Sequence, residues 1–233
     1  MHAPRWLQAL TAVIFPAECG VCGTTLAPGE RIMCLQCLAE LPRTGIHVAD
    51  FNEIHRRTAH KTHIEHAGAY FHYERHSPYS TLIHQAKYNN RPDLAEDLAE
   101  SYAREIMPSG FFDGIDIIEP VPLHWLKRLT RGYNQSYHIA IGISRATGLP
   151  IGDHLDVARY QRSQTRRNRA GRHAATEGLY RAVNADELTG HHALIVDDVI
   201  TTGSTIAACC RTLTSATPDL RLSLLSLGLS RKG

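Results

Sequence analysis

Two adjacent carboxylates, Asp197 and Asp198, follow the apolar run Ala193-Leu194-Ile195-Val196 and precede Val199-Ile200-Thr201-Thr202-Gly203-Ser204-Thr205. The hydroxyls of Thr201, Thr202, Ser204 and Thr205 can donate to an anion, and Gly203 lets the backbone close around it. A helix expected over Ser204–Leu213 adds free N–H groups and the positive end of its dipole. The acids do not favour a phosphate. They suit sugar hydroxyls or a metal beside it, so acids next to a phosphate cradle read as a site for a phosphorylated ribose. An ordinary strand with a polar turn would leave two acids at a buried edge without partners. A Walker loop fits poorly, because the turn has no Gly-Lys-Ser/Thr and no lysine.

Four of the six cysteines form two Cys-x-x-Cys pairs, Cys19/Cys22 and Cys34/Cys37, with eleven residues between them. Each pair can grip a metal through a tight knuckle, with Gly20 and Gly23 easing the turn. Two knuckles make the tetrahedral four-thiolate site that zinc prefers, with iron as a lesser option. A redox dithiol would need a βαβ context that is not visible, and a cytoplasmic chain disfavours disulfides. Segment 16–42 is too short to bury much core, so a structural metal would substitute for packing. Cys209 and Cys210 follow the phosphate loop on a helix and read as packing residues.

Two further segments carry charge where chemistry could use it. The loop Leu123–Gln135 holds Lys127, Arg128 and Arg131 with Gly132, Asn134 and Gln135. It could neutralise a pyrophosphate, with Arg131 binding as a fork. Segment 159–172 holds Arg159, Arg162, Arg166, Arg167, Arg169 and Arg172 and no acid. It reads as a solvated loop, as a hood closing over pyrophosphate, or as a track for a single-stranded nucleic acid backbone. Trp125, Tyr133 and Tyr160 could supply stacking surfaces.

The elements that must position these groups alternate between strand and helix. A strand is expected over Ala67–Tyr73, then helices over Tyr79–Lys87 and Asp93–Ile106, the second with Pro92 at its first turn. A buried strand over Ile115–Val121 ends at Pro122, and a helix over Asn134–Thr147 stops at Gly148-Leu149-Pro150. Strand 193–197, the helix from Ser204 and strand Leu222–Leu227 complete the pattern. This predicts a parallel α/β sheet with helices on both faces and ligands at the carboxyl ends of its strands.

The expected organisation is an amphipathic helix plus four-cysteine module over 1–44, a polar linker over 45–66 and the main domain over 67–233. The 233 residues carry 43% hydrophobic and 21% charged residues and a net charge of +2, so any nucleic-acid contact must be a local patch. Helical spacing of Trp6, Leu7, Leu10, Val13, Ile14 and Phe15, without a good cleavage site, favours a packed helix over a signal segment. No run approaches a membrane span, and a cytoplasmic location is expected. The irregular histidines His55, His60, His63, His66, His72 and His76 read as a solvated, pH-sensitive surface.

The run 197–205 resembles the phosphoribosyl pyrophosphate (PRPP) signature of type I phosphoribosyltransferases. By that resemblance Asp197 and Asp198 hold the ribose hydroxyls and residues 201–205 cradle the 5-phosphate. Together with the knuckles, Lys87-Tyr88 and the Val-Pro-Leu-His…Arg-Gly-Tyr-Asn-Gln loop, it resembles the ComF family of competence-linked proteins with its GntX-type relatives. The resemblance spans nearly the whole chain. It implies a type I phosphoribosyltransferase fold behind a zinc finger and a link to DNA uptake in natural transformation. As an enzyme, such a protein would bind PRPP with Mg²⁺ and use Asp197, Asp198 and Arg131 in catalysis, with Lys87 also on PRPP. Segment 159–172, through Arg166, Arg167, Arg169 and Arg172, would serve as hood or DNA contact. The alternative is a non-catalytic sensor of PRPP or a nucleotide that holds single-stranded DNA for competence translocation proteins. The chain departs from the family at Ala175, where an asparagine is usual.

Overall fold

A computed structural model of the chain describes residues 17–58, 62–88, 91–123, 132–158 and 178–231. Four parallel strands form the main sheet: β1 (Ala67–Tyr73), β2 (Ile117–Pro120), β5 (His192–Ile200) and β6 (Arg221–Ser230), in the order β1-β6-β5-β2. Strands covered on both faces read as continuous apolar runs, and Ala193–Val196 is fully buried. Its residues divide between two cores. Leu194 and Val196 face one, with Phe71, Leu225 and Leu227. Ala193 and Ile195 face the other, with Ala69, Leu222 and Leu224. On β5 the period of two along a strand makes this division.

The first core is closed by α3 (Ser80–Tyr88), α4 (Pro92–Ile106) and α5 (Gln135–Thr147). Pro92 stands in the first turn of α4, where its missing N–H costs nothing. Helices α4 and α5 touch closely at Gly142, where an added Cβ would lie 2.1 Å from Glu96 O and 2.9 Å from Ala99 Cβ. The second core is closed by α6 (Ser204–Ala216) and by Ile54 of α2 (Glu53–Thr58). A short antiparallel ribbon, β3 (Leu155–Val157) with β4 (Tyr180–Ala182), lies outside the main sheet.

Residues 45–66, expected as a linker, carry a 3₁₀ turn and α2. Asn52 is buried and donates to Ile46 O and to Ala67 O, tying this segment to β1. His55 is buried beside Asn52, which corrects its reading as a surface histidine; His63, His66 and His76 are exposed. The four-cysteine module, with α1 (Leu35–Ala39), joins the first core through Cys19, Met33, Cys37 and Leu41. Among the described residues no helix is long and apolar enough to cross a membrane. The N-terminal helix expected before residue 17 lies outside the described residues.

Candidate functional site

The site is built at the carboxyl ends of β2 and β5, which the ladder brings level. Pro120 is opposite Val196, and Val121 N–H continues the pairing to Val196 O at 3.0 Å. β5 runs to Ile200, beyond the expected end at Asp197, so Asp198 as well as Asp197 lies within the strand. Gly203 then takes the left-handed conformation (φ 76°) that starts α6 at Ser204. Thr202 Oγ1 and Ser204 Oγ are 2.9 Å apart across this turn. Residues 199–206 with Asp197 line a hollow of about 30 Å³.

A larger cavity of about 210 Å³ shares Asp197, Val199 and Thr205 with that hollow. Lys87, Asp198, Asn134 and Tyr180 also line it. Lys87 Nζ pairs with Asp198 Oδ2 at 2.8 Å. Asp197 Oδ1 accepts from Ser136 Oγ at 3.1 Å and from Asp198 N–H at 2.8 Å. Removal from water and the neighbouring Asp198 charge push the Asp197 carboxyl up to about 7.

Asn134 and Tyr133, expected in a ligand loop, act on the scaffold. Asn134 caps α5 by accepting from Ser136 N–H and donates to Val121 O at 3.0 Å, which fixes the β2 end against α5. Tyr133 Oη donates to Ala86 O on α3. The arrangement thus brings Lys87, Asp197, Asp198 and residues 201–205 together. Arg131, Lys127, Arg128 and Trp125 lie outside the described residues, as do Tyr160, Ala175 and the arginines from Arg159 to Arg172.

Three neighbours escaped the sequence pattern. Ser136 sits on the first turn of α5, and Tyr180 on β4. Arg57 of α2 packs behind the 201–205 turn and donates to Ile200 O at 3.3 Å, to Thr201 O, and to Ser230 O at 2.7 Å. The ribbon that carries Tyr180 is anchored by a buried pair, His154 Nδ1 to Glu119 Oε1 at 2.5 Å. Glu119 Oε1 also lies where a Cβ on Gly152 would stand, so only glycine fits there.

The four thiols form a second site. All their sulfurs lie within 4.8 Å of one another, and Cys22 Sγ is 3.8 Å from Cys34 Sγ. Zinc–sulfur bonds of about 2.3 Å in a tetrahedron set sulfur pairs about 3.8 Å apart, so the donor set is compatible with zinc. The module rests on α3. Thr81 Oγ1 donates to Gly20 O at 2.7 Å, and Tyr79 Oη to Cys37 O at 3.1 Å. Gly20 approaches Leu82 so closely that a Cβ would lie 2.9 Å from its side chain. Cys209 and Cys210 are buried in α6, as expected of packing residues.

The fold and its strand-end site define a parallel α/β protein with an acid pair beside a hydroxyl-rich turn, preceded by a four-cysteine module. No family model matches the chain. Among curated proteins it is similar to the DNA utilization protein YhgH of Salmonella typhi, 31% identical over 140 residues. That match covers 58% of this chain and 61% of the relative. Competence protein F of Haemophilus influenzae is 30% identical over 135 residues, 55% of this chain and 58% of the relative. The resemblance to competence-linked proteins drawn from the motifs therefore stands. The chain spans about three-fifths of these relatives.

Solved structures similar to it include the glutamine PRPP amidotransferase from B. subtilis. That match has a TM-score of 0.39 at 20% identity and covers 60% of this chain and 30% of the other. Adenine phosphoribosyltransferase from Saccharomyces cerevisiae also scores 0.39, at 15% identity, covering 61% of this chain and 72% of the other.

Proposed function

We propose that this protein binds PRPP at the strand-end site, and that it is a phosphoribosyltransferase-like protein serving DNA uptake. The observation that carries the reading is the pair of neighbouring hollows, with Asp197 on the wall of both and Asp198 on the wall of the larger. The smaller would take the 5-phosphate on the hydroxyls and N–H groups of residues 201–205. Asp197 and Asp198 would accept from the ribose hydroxyls. The larger cavity, with Lys87 and Tyr180 on its wall, leaves room for pyrophosphate and an acceptor.

As a transferase the site would need no side-chain nucleophile. An acceptor atom would bond to C1 of the ribose as the bond from C1 to pyrophosphate breaks, and pyrophosphate would leave with the electron pair. Lys87, Arg131 and the 159–172 segment would stabilise that departing charge. Asp197 and Asp198 are oxygen donors of the kind Mg²⁺ takes; bound with PRPP, the ion would neutralise charge on the pyrophosphate. Zinc would be held by Cys19, Cys22, Cys34 and Cys37 as a structural ion, and the location would be cytoplasmic.

A second reading rests on the relatives, which are named for DNA utilization and competence. In it, the site senses PRPP or a nucleotide, and Arg166, Arg167, Arg169 and Arg172 hold single-stranded DNA for a translocation partner without turnover.

Calorimetric titration with PRPP and Mg²⁺, followed by a pyrophosphate-release assay with candidate acceptors, tests both. Losing a charge-assisted hydrogen bond costs about 1.5–3 kcal/mol, so Asp198→Ala should weaken PRPP about ten- to a hundred-fold. Unchanged affinity in an Asp197→Ala/Asp198→Ala protein would refute PRPP binding here. Binding without pyrophosphate release would favour the sensor.

A further inference from the structure

We infer that Arg57 is a positioning residue for the phosphate cradle, setting its backbone N–H groups toward the anion. This rests on the 5-phosphate reading of residues 201–205. The Arg57 side chain is only 3% exposed. Glu53 Oε1 holds its Nε at 3.0 Å, so the guanidinium is fixed from its own helix. Nη1 donates to Ile200 O and Thr201 O, and Nη2 to Ser230 O, all backbone carbonyls. Arg57 lies 143 residues from Ile200 in the chain, in a helix outside the acid–hydroxyl motif.

The consequence follows from peptide geometry. In a planar trans peptide the C=O and N–H bonds point in opposite directions. Arg57 draws the Ile200 and Thr201 carbonyls toward α2, and so turns the N–H groups of Thr201 and Thr202 the other way. These residues line the small hollow. The same side chain backs the turn, since a Cβ on Gly203 would meet Arg57 Cβ at 3.2 Å. A buried cation directly behind the loop also adds positive potential where a phosphate monoester would sit. Arg57 thus serves the anion without touching it.

The experiment titrates the full-length protein with ribose 5-phosphate and separately with Mg-pyrophosphate. Arg57→Ala should weaken ribose 5-phosphate about ten- to a hundred-fold, the value of one or two charge-assisted hydrogen bonds, and leave Mg-pyrophosphate within about two-fold. Arg57→Lys keeps the buried charge but loses the fork, so it should fold and recover only part of the affinity. It decides the matter where the alanine protein does not fold. Wild-type affinity for ribose 5-phosphate in Arg57→Lys, or equal losses for both ligands, would overturn the role of Arg57 alone. A wild-type protein that binds neither ligand would overturn the underlying PRPP reading, and this inference with it.

Discussion

Lys87 Nζ lies 2.8 Å from Asp198 Oδ2, so α3 reaches the acid pair with its last turn. Both side chains are less than one-fifth exposed. The pair joins α3, on which the cysteine module rests, to β5. Lys87 also faces the second acid, since its charge lowers the Asp197 carboxyl against burial and the Asp198 charge.

The first prediction concerns the protonation of Asp197. Its carboxyl titrates at about 7 in the folded chain against an ordinary 3.8. The folded chain then keeps a proton that the unfolded chain has lost. Stability conferred by this group should fall as pH rises from about 4 through 7, and level off above. Asp197→Asn should lack that fall, as read by denaturant titration across the range. Lys87→Met should move the Asp197 midpoint upward, as read by carboxyl carbon NMR. A midpoint near 4 in the wild-type protein would refute the assignment.

A second prediction follows if the ribose hydroxyls need the ionised acid. PRPP affinity should then climb between pH 6 and 8 and flatten in Asp197→Asn. Calorimetry in buffers of different ionisation heat should also register proton release on binding at pH 7.

For the metal, we expect one zinc per chain by elemental analysis. The module packs on α3 through Thr81 and Tyr79. Chelation, or Cys37→Ser, should therefore raise amide exchange along 80–88 as well as in 17–41, while β5 and β6 stay protected. Unchanged exchange in α3 would show that the module is energetically separate.

The Glu119–His154 pair predicts a pH-dependent anchor for the ribbon. Burial opposes charging His154, but its bonds to Glu119 and Glu187 outweigh this and hold its pKa above the usual value. Stability from a raised histidine is full below its unfolded pKa and is lost as pH rises through the folded one. Melting temperature should therefore decline on the alkaline side of 6.5. His154→Ala, which strands Glu119 without its partner, should cost about 3–5 kcal/mol. A loss under about 1 kcal/mol would mean that water reaches Glu119.

Gly142→Ala should force α4 and α5 apart, because its Cβ would meet backbone atoms of Glu96 and Glu100. Overpacking of this kind costs about 1–3 kcal/mol. Denaturant unfolding measures it, and a neutral outcome would mean that the helix pair slides without cost.

What the sequence made legible was local. The run from Ala193 to Thr205 is contiguous, so its apolar start, acids, glycine and hydroxyls announced strand, loop and helix together. The four cysteines were legible by spacing alone. Helix and strand limits fell within a few residues of expectation, as for α5 at Gln135–Thr147, whose Asn134 cap and Gly148 stop are strong signals. Arg57 was illegible for the opposite reason: it reaches the site from a distant segment, and nothing in its own neighbourhood marks it. Ser136 adjoins the marked loop 123–135 and Tyr180 follows the marked segment 159–172, but only folding brings them to the acids. The polar appearance of 45–66 hid its burial, because Ile54 and Ile64 are its buried apolar residues and Asn52, His55 and Thr58 are buried beside them without any periodic pattern.

The sheet order has a consequence for the chain as it leaves the ribosome. β6 lies between β1 and β5, yet follows both in sequence. When residues 192–200 emerge, β5 can find β2, but β1 has no sheet neighbour until 221–230 appear. Arg57 likewise waits for Ser230 to accept its last hydrogen bond. The nascent protein therefore carries a β2–β5 pair and a lone β1, both with open edges, a state in which a chaperone or a second nascent copy competes for the gap. The closing strand sets the 201–205 turn last, so the strand-end cavity takes its final form only with the completed sheet.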